Sequence, residues 1–598
     1  MREFSLPALY EVPADGNLTD LIRRNAAQHP DTPVIGRKDP AGGWTDITAA
    51  GFLAEVRSAA RGLIASGVQP GDRVALISRT RYEWTLLDFA IWSAGAVTVP
   101  VYETSSAAQV EWILGDSGAV AVVVESERHE SVVEAVRERL PQLKHVWRID
   151  TGVVAALRAA GTDISDAVLD ERSGHASADT PATIVYTSGT TGRPKGCVLS
   201  HRSFFAECGN AVERLRPLFV TGENSILLFL PLAHVFGRLV EVAAVMAPIR
   251  LGHVADVTSL TEDLQSFRPT MILGVPRVFE KVYNTARATA QAGGKGRIFD
   301  RAAAVATAYS KALDTPSGPA LRLRLEHRLF DRLVYAKLRA VLGGRATHAI
   351  SGGAPLGERL GHFYRGIGFT VLEGYGLTES CAATSFNPWD RTKIGTVGQP
   401  LPGSTVRIAD DGEVLLYGEH LFSGYWNDEA ATAEAMAHGW FHTGDLGSLD
   451  EDGYLTITGR KKEIIVTAGG KNVVPAMIED RIRANALIAE CMVVGDQRPF
   501  VAALITLDEE FLPRWAEQHR KSGRTAAELA DDPDLLAAVQ RAVDTGNEAV
   551  SRAESIRRFT VLTGQFTEAS GHMTPSLKLR RNVVLADFAD EIELLYAR

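Results

Sequence analysis

Cysteine is scarce in this chain. Cys197, Cys208, Cys381 and Cys491 are scattered through 598 residues with no CxxC pair. That spacing argues against a disulfide scaffold or a zinc cage and makes a reducing cytosol the natural compartment. Long apolar runs are also missing. The stretch 89–102 is uncharged, but it is too short to span a bilayer and contains Gly and Pro. The opening Met1-Arg2-Glu3-Phe4 has no apolar signal core. The chain therefore reads as soluble, with a seat on a membrane surface left open. Excess positive charge is absent: the net charge of −10 gives nucleic acid no general electrostatic footprint. GxSxG, HExxH and GxGxxG do not occur. Serine hydrolases, zincins and dinucleotide dehydrogenases are thus left without their usual signatures.

What is present is ordinary globular composition, 45% hydrophobic and 23% charged. The length corresponds to about four domain equivalents at ~150 residues each, and large α/β units reduce that to two or three real domains. Thr48 is placed to cap a helix whose apolar positions Phe52, Val56, Ala59, Ala60, Leu63 and Ile64 follow helical spacing. Short apolar strands are expected at 74–78, 96–101 and 119–124, and again at 226–230, 270–274, 347–351 and 369–373. Continuous apolar strands separated by helices predict a parallel sheet covered on both faces. After about residue 403 the chain turns β-rich, with Asp411-Gly412 and Asp452-Gly453 as hairpin signals. A smaller α/β segment begins beyond Lys462.

Segment 281–345 is Ala/Arg-rich and helical, with thirteen Lys/Arg against four acids. The plain reading, a solvated helix face, is favoured. The sharper one is a surface for anionic lipid or coenzyme phosphates.

The strongest local signal is Tyr186-Thr187-Ser188-Gly189-Thr190-Thr191-Gly192-Arg193-Pro194-Lys195-Gly196, directly after an apolar strand. Its glycines let backbone N–H groups converge, and its hydroxyls and ammonium complete an anion cradle. It is not the GxxxxGK[ST] loop. The string resembles the signature of adenylate-forming enzymes: acyl-CoA synthetases, peptide-synthetase adenylation domains and luciferases. Further motifs resemble that family's in order: Ser351-Gly352-Gly353-Ala354-Pro355-Leu356, Glu373-Gly374-Tyr375-Gly376-Leu377-Thr378-Glu379-Ser380, Trp440-Phe441-His442-Thr443-Gly444-Asp445, Gly459-Arg460-Lys461-Lys462 and Thr574-Pro575-Ser576-Leu577-Lys578-Leu579-Arg580-Arg581. Within the family the chain looks most like bacterial long-chain fatty-acid–CoA ligases, through Tyr82-Glu83-Trp84, Val101-Tyr102-Glu103-Thr104-Ser105-Ser106 and Lys471-Asn472-Val473-Val474-Pro475.

The resemblance implies a fold and a site. The fold is α/β, with a large multi-subdomain N-terminal region (1–460) of parallel sheets and a β-rich portion, and a small mobile C-terminal α+β domain (461–598). The substrates are a fatty acid, ATP and CoA, with magnesium as metal. Lys578, Lys195, His234 and Glu379 are the catalytic candidates. ATP or AMP would be held by Thr187, Ser188, Gly189, Thr190, Thr191, Gly192, Gly352, Gly353, Ala354, Glu373, Gly374, Tyr375, Gly376, Thr378, Asp445 and Arg460. Each role has a physical basis. Tyr375 offers adenine a flat face, Asp445 accepts ribose hydroxyls, and Glu379 gives magnesium a hard oxygen ligand. Lys578 reaches the α-phosphate and the attacking carboxylate together. Many relatives carry Asp before the hinge Arg, whereas here Gly459 precedes Arg460, so the pivot falls on Lys461 or Lys462. Gly469 and Gly470 are the expected CoA-tunnel glycines.

Two other readings stay open: an acyl-AMP ligase serving a carrier protein, and a non-catalytic binding protein of the same fold. Peripheral contact with the inner membrane face through 281–345 is a further expectation. The sequence does not fix the oligomeric state.

Overall fold

The computed structural model describes residues 1–39, 42–187, 193–574 and 578–597. Ser188, Gly189, Thr190, Thr191 and Gly192 lie outside the described residues.

Among the described residues, a seven-stranded and a nine-stranded sheet dominate the large N-terminal part. The seven-stranded sheet shows why the valine runs are strands. Ala75, Ile77, Val122 and Val124 enter one apolar cluster, while Val74, Leu76, Ala121 and Val123 enter another. Successive residues point to opposite faces, so a strand with no polar alternation is buried on both sides. β-branched side chains suit that pleated surface. The pairs around Arg73–Ile77 and Val97–Val101 are parallel. Pro181–Thr187 and Lys195–Ser200 then form an antiparallel pair, with Gly424–Tyr425 as the edge strand beyond them.

The nine-stranded sheet has a parallel centre through Ser225–Leu228, Met271–Gly274, His348–Ser351 and Thr370–Tyr375. Helix Tyr82–Ser93 is almost wholly buried, with Trp84, Phe89 and Trp92 all inside. That explains why its sequence is apolar all round rather than amphipathic. Thr48 caps helix Ala49–Ala65 by accepting the Gly51 N–H.

A five-stranded antiparallel sheet follows. Its hairpins Ser404–Ile408/Glu413–Gly418 and Phe441–Leu449/Leu455–Arg460 turn at Gly412 and Gly453, whose φ values of 86° and 79° favour glycine. The last core residue of the large cluster is Leu455, and a separate cluster begins at Ile465. The C-terminal segment builds its own sheet from Ile488–Val494, Val501–Leu507 and Ile556–Val561, packed by helices Pro475–Arg483 and Pro533–Asn547. All four cysteines are free and buried. Among the described residues no helix is long and apolar enough to cross a membrane.

Candidate active site

A cavity of about 1180 Å³ opens at the carboxyl ends of the central parallel strands. Ligands of open α/β sheets collect at this edge, because the loops leaving the strands converge there. Gly352, Gly353, Ala354, Gly374, Tyr375, Gly376 and Thr378 line it, with Phe236 and Lys578. One side is apolar, formed by Leu215, Leu239, Leu273 and Phe386.

Asp445 and Arg460 are register partners on adjacent antiparallel strands. Asp445 Oδ1 meets Arg460 Nε at 2.8 Å, and Oδ2 accepts the Tyr375 hydroxyl at 2.7 Å. The backbone N–H of Asp445 donates to Thr443 Oγ1 at 3.0 Å, fixing the turn. A buried carboxylate with two good donors is a preorganised acceptor for a diol. Tyr375 places its ring at the cavity wall and its hydroxyl on that carboxylate. Burial, then Asp445, raises the phenol pKa well above its usual value.

Thr187 and Lys195 are cross-strand partners that bracket the phosphate-loop candidate. Lys195 Nζ lies 3.8 Å from Asp428 Oδ2 and 5.1 Å from the centre of the Tyr425 ring. The hydroxyl of Tyr425 donates to Glu379 Oε1 at 2.7 Å. Among the described residues no hydrogen bond reaches Glu379 Oε2, and no group of three or more His, Cys, Asp or Glu gathers as a metal cage. One carboxylate completed by substrate phosphates is how magnesium is usually held, so this donor set fits that ion.

His234 caps helix Val235–Met246: its Nδ1 accepts the Phe236 N–H at 3.1 Å. The neutral ring therefore carries its proton on Nε2. Loss of water, with Lys578 nearby, pushes its pKa down to about 4, so near pH 7 it is a neutral donor at the cavity wall.

Glu373, the first residue of the expected nucleotide loop, is buried beside the cavity on a strand whose register pairs it with Ser351. Its carboxylate accepts the Leu356 N–H at 2.8 Å. It straps that loop in place. Burial pushes its pKa up to about 7.

Lys578 comes from the far end of the chain. Thr574 N–H donates to the Lys578 carbonyl at 2.8 Å, and Lys578 N–H donates to Thr574 Oγ1 at 3.0 Å. Its side chain is open to the cavity but crowded by protein. That loss of water and the nearby Arg460 lower its pKa, against the pull of Asp445 and Glu379. Lys461 is tied to Asp411 at 2.6 Å and Glu413 at 3.0 Å. Lys462 is exposed and has no ion pair among the described residues. Gly469 and Gly470 are not part of the described cavity lining; a Cβ at Gly470 would meet open space, and one at Gly469 only Thr467 Oγ1 at 3.9 Å.

The constellation can be set against known proteins. The model of the AMP-binding enzyme family matches residues 22–426, and that of the AMP-binding enzyme C-terminal domain matches 462–598. The chain belongs to the AMP-binding enzyme family. It is 50% identical to the long-chain-fatty-acid–CoA ligase FadD15 of Mycobacterium tuberculosis, over 100% of both chains. It is 29% identical to the long-chain-fatty-acid–CoA ligase ACSBG2 of Xenopus laevis, covering 92% of this chain and 80% of that one. The ATP-bound structure of MatB from Rhodopseudomonas palustris shares the fold, with a TM-score of 0.69, 24% identity and coverage of 96% and 100%. So does the Mycobacterium tuberculosis fatty acyl CoA synthetase, with a TM-score of 0.62, 24% identity and coverage of 96% and 99%.

Sequence reasoning missed several supports in this AMP-binding enzyme. Tyr425 and Asp428 position Glu379 and Lys195, and Glu413 holds both Gly444 N–H and Lys461. None carries a motif of its own. A buried cluster beneath the site was also invisible: Arg238 bonds Asp88 at 2.5 Å with no solvent exposure, beside Glu241. Helical spacing would place Arg238 and Glu241 on one face, and nothing in the sequence marks them as buried.

Proposed function

We propose that this AMP-binding enzyme is a long-chain fatty-acid–CoA ligase. The observation that carries the reading is one continuous cavity. It joins the Tyr375–Asp445 nucleotide edge, the Lys578 ammonium and an apolar recess lined by Leu215, Leu239 and Phe386.

In the first half-reaction the fatty-acid carboxylate oxygen attacks the α-phosphorus of ATP, and the bond to pyrophosphate breaks. Positioning and charge stabilisation do most of this work. Lys578 bridges the carboxylate and the α-phosphate. The neutral Nε2–H of His234 donates to the acyl carboxylate. Asp445 takes the ribose hydroxyls, exchanging them for its present donors, and Tyr375 flanks adenine. Lys195 and the loop it closes receive the pyrophosphate. Glu379 would hold magnesium, which when bound neutralises phosphate charge.

In the second half-reaction the unit 461–598 turns about Lys462, beyond the tethered Lys461. That turn carries Lys578 out and brings Gly469 and Gly470 in beside the pantetheine arm. The CoA sulfur then attacks the acyl carbonyl, and AMP leaves. The basic segment 281–345 supports peripheral contact with anionic lipid at the same time.

The test is ATP–pyrophosphate exchange with and without palmitate, followed by CoA and an acyl-chain series. Exchange that depends on palmitate, with thioester formed on adding CoA, is expected. Exchange without thioester would favour an acyl-AMP ligase, and no exchange would favour a non-catalytic binding protein.

A further inference from the structure

Lys578 stands on one of two short segments, 572–574 and 578–580, that lie side by side. Met573 and Leu579 pair antiparallel. The Arg580 N–H donates to the His572 carbonyl at 2.7 Å, and the Thr574 N–H donates to the Lys578 carbonyl at 2.8 Å. The second segment runs straight into helix Arg581–Asp587. A pairing this short is marginal by itself in water. A lysine that must meet reacting atoms needs a firmer base.

The imidazole of His572 supplies one. Its Nε2 meets Asp587 Oδ2 at 3.0 Å, at the far end of that helix, and its Nδ1 meets Ser570 Oγ at 2.8 Å. A carboxylate only accepts, so Nε2 carries a proton. The two segments and the helix thus close into a ring. His572 fastens it twice, through its carbonyl to Arg580 and through its side chain to Asp587. Both ends of the ring are anchored in turn. The Ser570 N–H donates to Thr567 Oγ1 at 3.0 Å. Arg581 reaches Glu479 Oε1 at 2.7 Å and the Val493 carbonyl at 2.5 Å.

His572 is buried between the rings of Phe566 and Phe588, at centroid distances of 5.6 and 5.3 Å. An apolar side chain of similar size would fill that space as well. Asp587 is half exposed, and a bond that open to water adds little to stability. What the two side-chain bonds add is direction. They fix where the first segment stands against the helix, and through the backbone pairing where Lys578 stands. His572 is not part of the described cavity lining, whereas its neighbours Phe566, Thr567 and Met573 are. It therefore acts through Lys578.

We propose that His572, held by Asp587 and Ser570, is a positioning residue for adenylation. It sets the base from which Lys578 reaches the α-phosphate and the acyl carboxylate, and so rests on the ligase reading above. A preorganised charge acts at full strength only in place, and a misplacement of about 1 Å costs up to ~10² in rate.

The experiment uses two variants of the full chain. His572→Leu keeps the apolar fill and removes both side-chain bonds. Asp587→Ala removes one bond from an exposed site, where folding is not at stake. Both should keep the wild-type melting temperature. Acyl-AMP formation should fall by about ten-fold in kcat, with the KM for ATP little changed. Thioester formation from preformed acyl-AMP and CoA should keep the wild-type rate. His572→Gln, which can still donate to Asp587, should recover part of the loss. Added to Lys578→Ala, His572→Leu should cost nothing more, because the residue acts through that lysine. A further loss in the double variant, or equal slowing of both half-reactions, overturns the proposal. Amide hydrogen exchange gives a readout apart from activity. Residues 572–580 should exchange faster in both variants while the rest of 461–598 is unchanged, and unaltered exchange there also overturns it. Faster exchange in the variants of a chain that forms no acyl-AMP would support the clamp and count against the ligase reading alone.

Discussion

Glu379 and Lys195 are bridged by a single side chain. Tyr425 gives its hydroxyl to Glu379 Oε1 at 2.7 Å and its ring to the Lys195 ammonium at 5.1 Å. The anion that would face magnesium and the cation that would face the departing phosphates are thus set against each other before substrate arrives. Tyr425→Phe keeps the ring and removes the hydrogen bond. We expect the adenylation rate to fall about ten-fold and the magnesium requirement to rise. An unchanged magnesium titration in the exchange assay would remove Tyr425 from the site.

Asp445→Ala takes away the acceptor that Arg460 and Tyr375 already hold in place. Charge-assisted hydrogen bonds are worth about 1.5–3 kcal/mol each, so ATP use should fall by ~10–100-fold or more, in KM and kcat together. Unaltered ATP kinetics would sink the ribose assignment.

Lys578→Ala should divide the two half-reactions. One preorganised charged donor contributes roughly 10²–10³ in rate, so acyl-AMP synthesis should nearly stop. Given preformed acyl-AMP and CoA, the same variant should form thioester at close to the normal rate. Equal slowing of both steps would overturn this division. Arg580→Ala should be milder.

Gly469→Leu is the cleaner probe of the thioester step. Gly470 has φ of 76°, so any substitution there strains the backbone as well. Gly469 carries no such demand, and a Cβ there would make only an ordinary contact with Thr467 Oγ1 at 3.9 Å. Acyl-AMP formation should survive Gly469→Leu while CoA attack fails, read as pyrophosphate exchange without thioester.

The pH dependence of stability should carry the mark of Glu373. Its pKa rises from an ordinary 4.5 to about 7 on burial, so between those values the folded state binds more protons than the unfolded state. Stability then declines as pH rises through that window, by on the order of 3 kcal/mol. Glu373→Gln still accepts the Leu356 N–H and does not titrate. Its melting temperature should match the wild type near pH 5 and exceed it at pH 8. Parallel melting curves across that range would contradict the assignment.

Much of this was legible in the chain itself, for identifiable reasons. The valine strands were readable because a sheet buried on both faces leaves an uninterrupted apolar run. The candidate nucleotide site was readable because it is built from loops at strand ends, where glycine and hydroxyl residues leave local patterns. The Glu373 bond to the Leu356 N–H was not readable, because no local string records which neighbour a buried carboxylate meets. Tyr425, Asp428 and the Asp88–Arg238 pair were missed because their partners come from distant parts of the chain.

Lys461 is held by Asp411 and Glu413, and in the proposed turn of 461–598 about Lys462 that hold would make the connector an axle. A joint clamped on one side swivels about a defined line and has few stopping points. The reactive acyl-adenylate would then meet CoA with little time before open water. The yield of thioester per nucleotide consumed would in this sense be set at a strand turn remote from the reacting atoms. A looser connector would leave every catalytic side chain in place and still waste the intermediate to hydrolysis.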